Sequence, residues 1–183
     1  MKSPLMKTLT LLRHAKSSWD GSAAGDFQRG LSKRGRKAAR TIGRELDAQG
    51  LVFDAVLASP AARVVETIEE LAEGYGSPIR PRFDERIYLG SVATLLASVR
   101  EADDAAERLL LIGHNPGLEG LALLLTRDEG EGLRRELSAK YPTATVAEIA
   151  LPIEHWRDAA PGIGTLARFI RPRDLDPELG PES

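Results

Sequence analysis

Cysteine is absent from the 183 residues of this chain. Disulfide bonds, thiolate nucleophiles and cysteine-ligated zinc are therefore excluded. Long apolar runs are missing too, since the longest relevant stretch, 121–125, is far short of the ~18 residues of a membrane span. Residues 1–7 lack the apolar segment of a signal peptide. We therefore expect a cytoplasmic protein that does not contact a membrane.

A strong excess of either charge is also missing. The 25 basic residues face 27 acidic ones, for a net charge of −2, which argues against nucleic acid as a partner. Hydrophobic residues make up 42% and charged residues 28%, as in an ordinary globular protein. The length suits one domain, predicted over residues 1–170. Residues 171–183, rich in proline and acids, are interpreted as a mobile C-terminal tail.

Short apolar stretches alternate with helical patterns along most of the chain. Strands are predicted at 8–12, 55–58, 79–83, 109–112, 146–151 and 166–170. Helices are predicted to begin at Ser32, Ser59-Pro60, Ser91 and Asn115-Pro116. The strands 8–12 and 109–112 are apolar on both faces. This pattern predicts an α/β fold, a three-layer α/β/α sandwich around a mostly parallel sheet, with ligands at the carboxyl ends of the strands.

Two of the three histidines follow apolar strands at the same spacing. His14 lies two residues beyond the strand 8–12, and His114 lies two residues beyond the strand 109–112. If the two strands are parallel neighbours, both imidazoles reach one crevice. His155 has no such context, and we assign it to packing or to the surface.

Two arginines accompany these histidines. Arg13 stands beside His14, and Arg63 falls in the first turn of a predicted helix, whose free amides favour anions. Guanidinium groups suit phosphate oxygens. The set predicts phosphoryl transfer to a neutral imidazole, with one ring N–H held by a backbone carbonyl.

Three segments resemble motifs of a known family. Residues 12–15 (Leu-Arg-His-Ala) resemble the Arg-His-Gly signature of the histidine phosphatase superfamily, with its phosphoglycerate-mutase-like fold; Ala15 replaces the glycine. Residues 59–67 resemble its second phosphate-binding block, and residues 113–116 its second histidine block. The compact length, Lys16-Ser17-Ser18-Trp19 and residues 140–143 make the SixA-type phosphohistidine phosphatases the most similar type.

The resemblance implies roles for individual residues. His14 is expected to be the phosphorylated nucleophile, and Arg13, Arg63 and His114 are expected to bind the phosphoryl oxygens. Glu85 is the candidate general acid, with Asp84 as the fallback. No metal or other cofactor is expected. The remaining candidate phosphate-binding residues are Lys16, Ser17 and Asn115.

The expected substrate is phosphohistidine of a protein. A protonated P–N bond needs a weaker acid than an alkoxide leaving group does, and no long insertion is available to enclose the site. A phosphatase of small phosphate esters on the same fold and a non-catalytic phosphate-binding module are the alternatives. A metal-dependent phosphoesterase could use Asp20 and Asp26, but no Asp-x-His or His-x-His spacing supports it.

The segment 29–44 carries seven basic residues and no acid. We interpret it mainly as a solvated helix face, and alternatively as a surface that steers an anionic substrate or partner. Arg29 and Lys33 are the two of these residues expected to approach the site.

Overall fold

A six-stranded sheet forms the centre of the computed structural model, which describes residues 5–19, 25–130 and 132–181. Its strands are β1 (Lys7–Arg13), β2 (Ala55–Ala58), β3 (Arg82–Phe83), β4 (Arg108–Gly113), β5 (Val146–Leu151) and β6 (Thr165–Ile170). They are ordered β3-β2-β4-β1-β5-β6. The first four pair in parallel, and β5 is antiparallel to both β1 and β6. The prediction of a mostly parallel sheet is confirmed.

Helices cover both faces of the sheet. They are α1 (Lys33–Ala48), α2 (Ala62–Tyr75), α3 (Val92–Arg100), α4 (Gly117–Leu125), α5 (Leu133–Ala139) and α6 (Pro172–Leu175). On one face Leu110 and Ile112 pack with the apolar sides of α1 and α2, while on the other Leu109 and Leu111 pack with α3 and α4. Successive residues of β4 therefore enter different cores, as in a strand buried on both sides. The three-layer sandwich is confirmed.

Helix starts agree with the predicted caps at two positions and differ at a third. Ser32 and Ser91 accept hydrogen bonds from the backbone N–H groups of Gly35 and Thr94, at 3.0 and 3.2 Å. Helix α2 begins at Ala62, three residues after Ser59, and its cap position is occupied by Ala61. Ser59 is therefore not the cap residue of α2, although its hydroxyl accepts the backbone N–H of Ala61 at 3.3 Å and the Nε2–H of His114 at 2.8 Å.

Helix α1 lies directly against the loop that follows β1. A Cβ atom on Gly35 would lie 2.1 Å from the carbonyl oxygen of Lys16, so only glycine permits this approach. Ser32 donates two hydrogen bonds to the same oxygen, from its backbone N–H at 3.0 Å and from its hydroxyl at 3.1 Å. The loop that carries His14 is thereby held on the helix layer.

Residues 171–181 fold back onto the domain. Helix α6 and a short turn at Pro177–Leu179 place Leu175 and Leu179 against the core beneath α1. Lys37 of α1 forms salt bridges with Asp176 at 3.0 Å and with Glu178 at 2.8 Å. These contacts do not fit the mobile tail that composition suggested, while the domain boundary at residue 170 stays a prediction. Within the described ranges, no helix is long and apolar enough to cross a membrane.

Candidate active site

The two histidines meet at the carboxyl ends of two neighbouring strands. Arg13 of β1 pairs with Gly113 of β4, so the next residue on each strand is a histidine. The ring centroids of His14 and His114 lie 5.2 Å apart, and both residues are buried. The structure therefore brings together the pair that the spacing placed in one crevice.

The ring of His14 is oriented by the backbone of the following residue. Its Nδ1 lies 2.7 Å from the carbonyl oxygen of Ala15. A carbonyl only accepts, so Nδ1 carries the hydrogen and Nε2 keeps a free lone pair. Burial lowers the pKa of His14 to about 3, and the positive charges of Arg63 and Arg13 act in the same direction. His14 is therefore neutral near pH 7, as a nitrogen nucleophile must be.

His114 is held by two side chains. A terminal guanidinium nitrogen of Arg63 lies 3.3 Å from Nδ1, and the hydroxyl oxygen of Ser59 lies 2.8 Å from Nε2. A guanidinium only donates, so Nδ1 accepts and Nε2–H donates to Ser59. Burial and the nearby Arg63 lower the pKa of His114 to about 4. Both ring nitrogens are engaged, so a bond from His114 to a phosphoryl oxygen would replace one of these contacts.

Asp26 connects the positive groups of the pocket. Its carboxylate accepts hydrogen bonds from Tyr88 at 2.6 Å, from Arg29 at 2.9 Å and from Arg63 at 3.0 Å. The Tyr88 hydroxyl and Arg29 hold the pKa of this carboxyl far below its usual range. Sequence reasoning considered Asp26 only as a metal ligand and missed this contact, because Asp26 and Arg63 are distant in the chain.

Three arginines in and around this pocket retain unused donors. The Nε–H groups of Arg13, Arg29 and Arg63 are buried without a hydrogen-bond partner in the described part of the chain. A buried donor without an acceptor costs about 1–3 kcal/mol. An oxyanion within reach would supply the missing acceptors. Arg29, which the sequence analysis expected near the site, is thus part of the pocket. Lys33 has no hydrogen bond or ion pair with the pocket among the described residues.

The other candidate phosphate ligands, Lys16, Ser17 and Asn115, have different surroundings in the structure. The Ser17 hydroxyl accepts a hydrogen bond from Arg29, and Lys16 lines an adjoining cavity together with Arg13. The amide nitrogen of Asn115 donates to the carbonyl oxygen of Tyr141 at 3.1 Å, and its amide oxygen accepts from the Glu119 N–H at 3.2 Å. These bonds brace the start of α4, and a role of Asn115 in phosphate binding stays a prediction.

The predicted general acids belong to the segment just before Tyr88, whose ring contacts His114. Glu85 is exposed, and among the described residues its carboxylate has no hydrogen bond to the pocket, so its role stays a prediction. Asp84 is bound by Arg86 at 2.8 Å, which lowers the pKa of the Asp84 carboxyl. A carboxylate held in its ionised form is a poor proton donor, which argues against Asp84 as the general acid, and the fallback assignment stays a prediction.

Two further side chains that sequence reasoning overlooked build the pocket. The ring of Tyr88 meets that of His114 edge-on at 5.4 Å. Thr67 accepts the N–H of Ala15 at 3.0 Å and donates to the carbonyl oxygen of Arg63 at 2.6 Å. Thr67 lies one helical turn after Arg63, which is the signal that could have revealed it.

Basic residues farther along α1 are engaged with carboxylates. Arg36 forms salt bridges with Glu66 at 3.2 Å and with Glu70 at 3.1 Å, and Arg40 with Glu70 at 3.4 Å.

His155 contacts Asp104 at 3.0 Å, outside the pocket, as its assignment to packing or the surface expected. Across residues 5–19, 25–130 and 132–181, no three His, Asp or Glu side chains group as a possible metal site.

The fold and site together define an α/β protein with a histidine-centred, arginine-rich pocket at the carboxyl edge of its sheet. The family model of the histidine phosphatase superfamily (branch 1) matches residues 9–119. An uncharacterised protein of Mycobacterium tuberculosis is 33% identical over 164 residues, covering 88% of this chain and 100% of that protein. This chain belongs to the histidine phosphatase superfamily.

Comparison with solved structures also finds similarity to this superfamily. A candidate phosphohistidine phosphatase SixA from Nakamurella multipartitia has a TM-score of 0.78 and 28% identity, covering 91% of this chain and 96% of its own. A second candidate SixA, from Agrobacterium tumefaciens, has a TM-score of 0.73 and 25% identity, covering 90% and 97%. The predicted phosphoglycerate-mutase-like fold and similarity to SixA-type proteins are confirmed, and the predicted class, a phosphatase, is supported.

Proposed function

We propose that this protein is a phosphatase that uses His14 as its nucleophile, without a metal ion, and acts on phosphohistidine of proteins. One observation carries the proposal: the Ala15 carbonyl holds the proton of His14 on Nδ1, which leaves the Nε2 lone pair available for attack. The lowered pKa of this residue, about 3, keeps that lone pair unprotonated near pH 7.

The proposed reaction has two displacement steps. Nε2 of His14 attacks phosphorus and the bond from phosphorus to the leaving nitrogen breaks. The leaving nitrogen takes the electron pair of that bond, and the substrate imidazole departs neutral with its proton on the other ring nitrogen. Water then attacks the phosphorus bound to His14, which releases inorganic phosphate and restores the neutral ring. Arg13, Arg29 and Arg63 would stabilise the charge on the phosphoryl oxygens.

The acids of the site support phosphohistidine as substrate. Asp26 and Asp84 are ion-paired, and both carboxyl pKa values are lowered. A leaving imidazole that is already protonated needs little help from an acid, whereas an alkoxide needs a donor. The similarity to candidate SixA proteins points the same way.

A phosphatase of small phosphate esters is the second candidate. Glu85 is exposed at the start of the turn Glu85–Ile87, one residue beyond which Tyr88 contacts His114. The Glu85 carboxyl group, which forms no ion pair with another described residue, could protonate an alkoxide. The two candidates differ only in the leaving group.

His14→Ala tests the mechanism, with His155→Ala as the matched control outside the pocket. We expect His14→Ala to abolish phosphate release from a phosphohistidine peptide, with thermal unfolding nearly unchanged, and His155→Ala to keep turnover. Wild-type protein quenched during turnover should carry acid-labile phosphate on His14. Turnover in His14→Ala at the wild-type rate would eliminate the proposed nucleophile, and chelator should not change the wild-type rate.

A further inference from the structure

A cavity of about 350 Å³ adjoins the pocket of the two histidines. We propose that it is a second anion subsite, which binds a negatively charged group of the substrate other than the phosphoryl group that is transferred. The inference rests on the proposed function, because it assigns part of the same substrate. Six basic residues line the cavity: Arg13, Lys16, Arg34, Lys140, Arg171 and Arg173.

The cavity shares Arg13 with the reaction site. Arg13 directly precedes His14, and its charge contributes to the low pKa values of both site histidines. Arg13 also donates to the carbonyl oxygen of Tyr141 at 2.9 Å, which ties it to the loop that carries Lys140. One substrate could therefore place its phosphoryl group at His14 and a second anion in the cavity.

The charge of the cavity is only partly neutralised by the protein. Arg171 forms salt bridges with Asp174 at 2.8 Å and with Glu136 at 3.4 Å, and Arg34 donates to the carbonyl oxygen of Gly180. Lys140 and Arg173 have no salt bridge to a carboxylate among the residues that the structure describes. No acidic residue is among the lining residues in that part of the chain. A concave surface with charge of one sign concentrates positive potential and attracts anions.

Some basic residues outside the cavity are neutralised by the protein itself. Arg36, Lys37 and Arg108 each form a salt bridge with a carboxylate at between 2.8 and 3.2 Å. Lys140 and Arg173 have no such partner among the described residues and can therefore bind an external anion. Ala38, Pro142 and Leu179 add apolar surface, and apolar walls with a few polar groups are typical of ligand pockets.

The anion has two possible sources with the same chemistry. It could be a second phosphate or carboxylate on a small phosphate ester, or a carboxylate side chain next to the phosphohistidine of a protein. In both cases Lys140 and Arg173 would form charge-assisted hydrogen bonds with its oxygens.

Two measurements separate these sources. In the first, calorimetry measures the Kd of benzylphosphonate and the Kd of p-xylylenediphosphonate, which carries a second phosphonate group. Neither compound can be hydrolysed, because phosphorus is bonded to carbon. In the second, kcat/KM is compared for two phosphohistidine peptides that differ only in glutamate or glutamine on both sides of the phosphohistidine. Each is repeated with Lys140→Gln/Arg173→Gln and with the control Arg80→Gln/Arg157→Gln, which removes two exposed charges outside the cavity lining.

For wild-type protein we expect the additional anion to lower the phosphonate Kd, to raise the peptide kcat/KM, or both, by about tenfold. The physical reason is that charge-assisted hydrogen bonds are stronger than neutral ones. Lys140→Gln/Arg173→Gln should lose this preference, and the control should retain it. A preference in the phosphonate arm alone identifies a small ester, and one in the peptide arm alone identifies an acidic protein segment.

No preference in either arm, or a preference equal in the two double variants, would overturn the subsite. The phosphonate arm needs no turnover, so its result is independent of the proposed function. A wild-type enzyme that hydrolyses phosphohistidine without any preference would contradict the subsite alone. A phosphonate preference without turnover would contradict the proposed function alone.

Discussion

Replacing Arg63 by alanine perturbs the pocket at its most connected cation. Arg63 is 2% exposed and donates to the backbone oxygen of Asp26 at 2.8 Å, to its carboxylate at 3.0 Å and to His114 at 3.3 Å. A preorganised donor to a developing anion contributes on the order of 2–4 kcal/mol to transition-state stabilisation. We therefore expect kcat/KM to fall by about 30-fold to 900-fold, since 1.36 kcal/mol corresponds to a factor of ten.

The same variant should change the histidine titrations. Arg63 is the largest cause, after burial, of the lowered pKa of His114, and it also lowers the pKa of His14. Without it, both rings should protonate at higher pH. The acid limb of the pH–rate profile should then move to higher pH. NMR titration of the ring C–H signals would measure both shifts directly.

The matched control is Arg36→Ala, an arginine outside the pocket that forms salt bridges with Glu66 and Glu70. It should retain activity within about threefold, because it has no contact with the two histidines among the described residues, and salt bridges near the surface contribute little, about 0–1 kcal/mol. A loss below tenfold in Arg63→Ala would place this arginine outside direct contact with the phosphoryl group. Unchanged histidine titrations would refute the electrostatic account of the pocket.

Three further outcomes test other parts of the structure. Glu85→Gln should slow hydrolysis of an aryl or alkyl phosphate more than that of phosphohistidine, and equal losses in parallel assays would argue against the leaving-group reasoning. Because the folded pKa values of His14 and His114, about 3 and about 4, lie below the ordinary 6.5, their neutral forms stabilise the fold fully above about pH 6.5, and this contribution falls as pH drops towards 3. The free energy of unfolding, measured in urea, should therefore fall less for His14→Asn than for wild type between pH 7 and pH 4. Equal decreases for the two proteins would contradict the lowered pKa of His14. Gly35→Ala should lower the free energy of unfolding by about 1–3 kcal/mol, since its methyl would meet backbone; Gly25→Ala, whose Cβ has only an ordinary contact at 3.5 Å, is the control, and equal stability of the two would exclude the clash.

The sequence by itself determined the layers of the fold and the meeting of the two histidines. Apolar stretches such as 109–112 have no polar face, so they must be covered on both sides, and this requires a sheet between helices. Parallel strands end at one edge, so residues two positions beyond 8–12 and 109–112 share that edge. The register between Arg13 and Gly113 then placed His14 beside His114.

Only the tertiary structure decided the hydrogen-bond partners of the site residues and the packing of the C-terminal segment. The orientation of the Ala15 carbonyl, which places the proton of His14, depends on backbone torsions that residue types do not specify. Asp26 reaches Arg63 through a loop with no hydrophobic period. The proline and acid content of residues 171–183 predicted a mobile tail, yet in residues 171–181 Leu175 and Leu179 pack against the core and Lys37 of α1 pairs with Asp176 and Glu178. Such contacts join segments that are far apart in the chain, so local sequence patterns do not predict them.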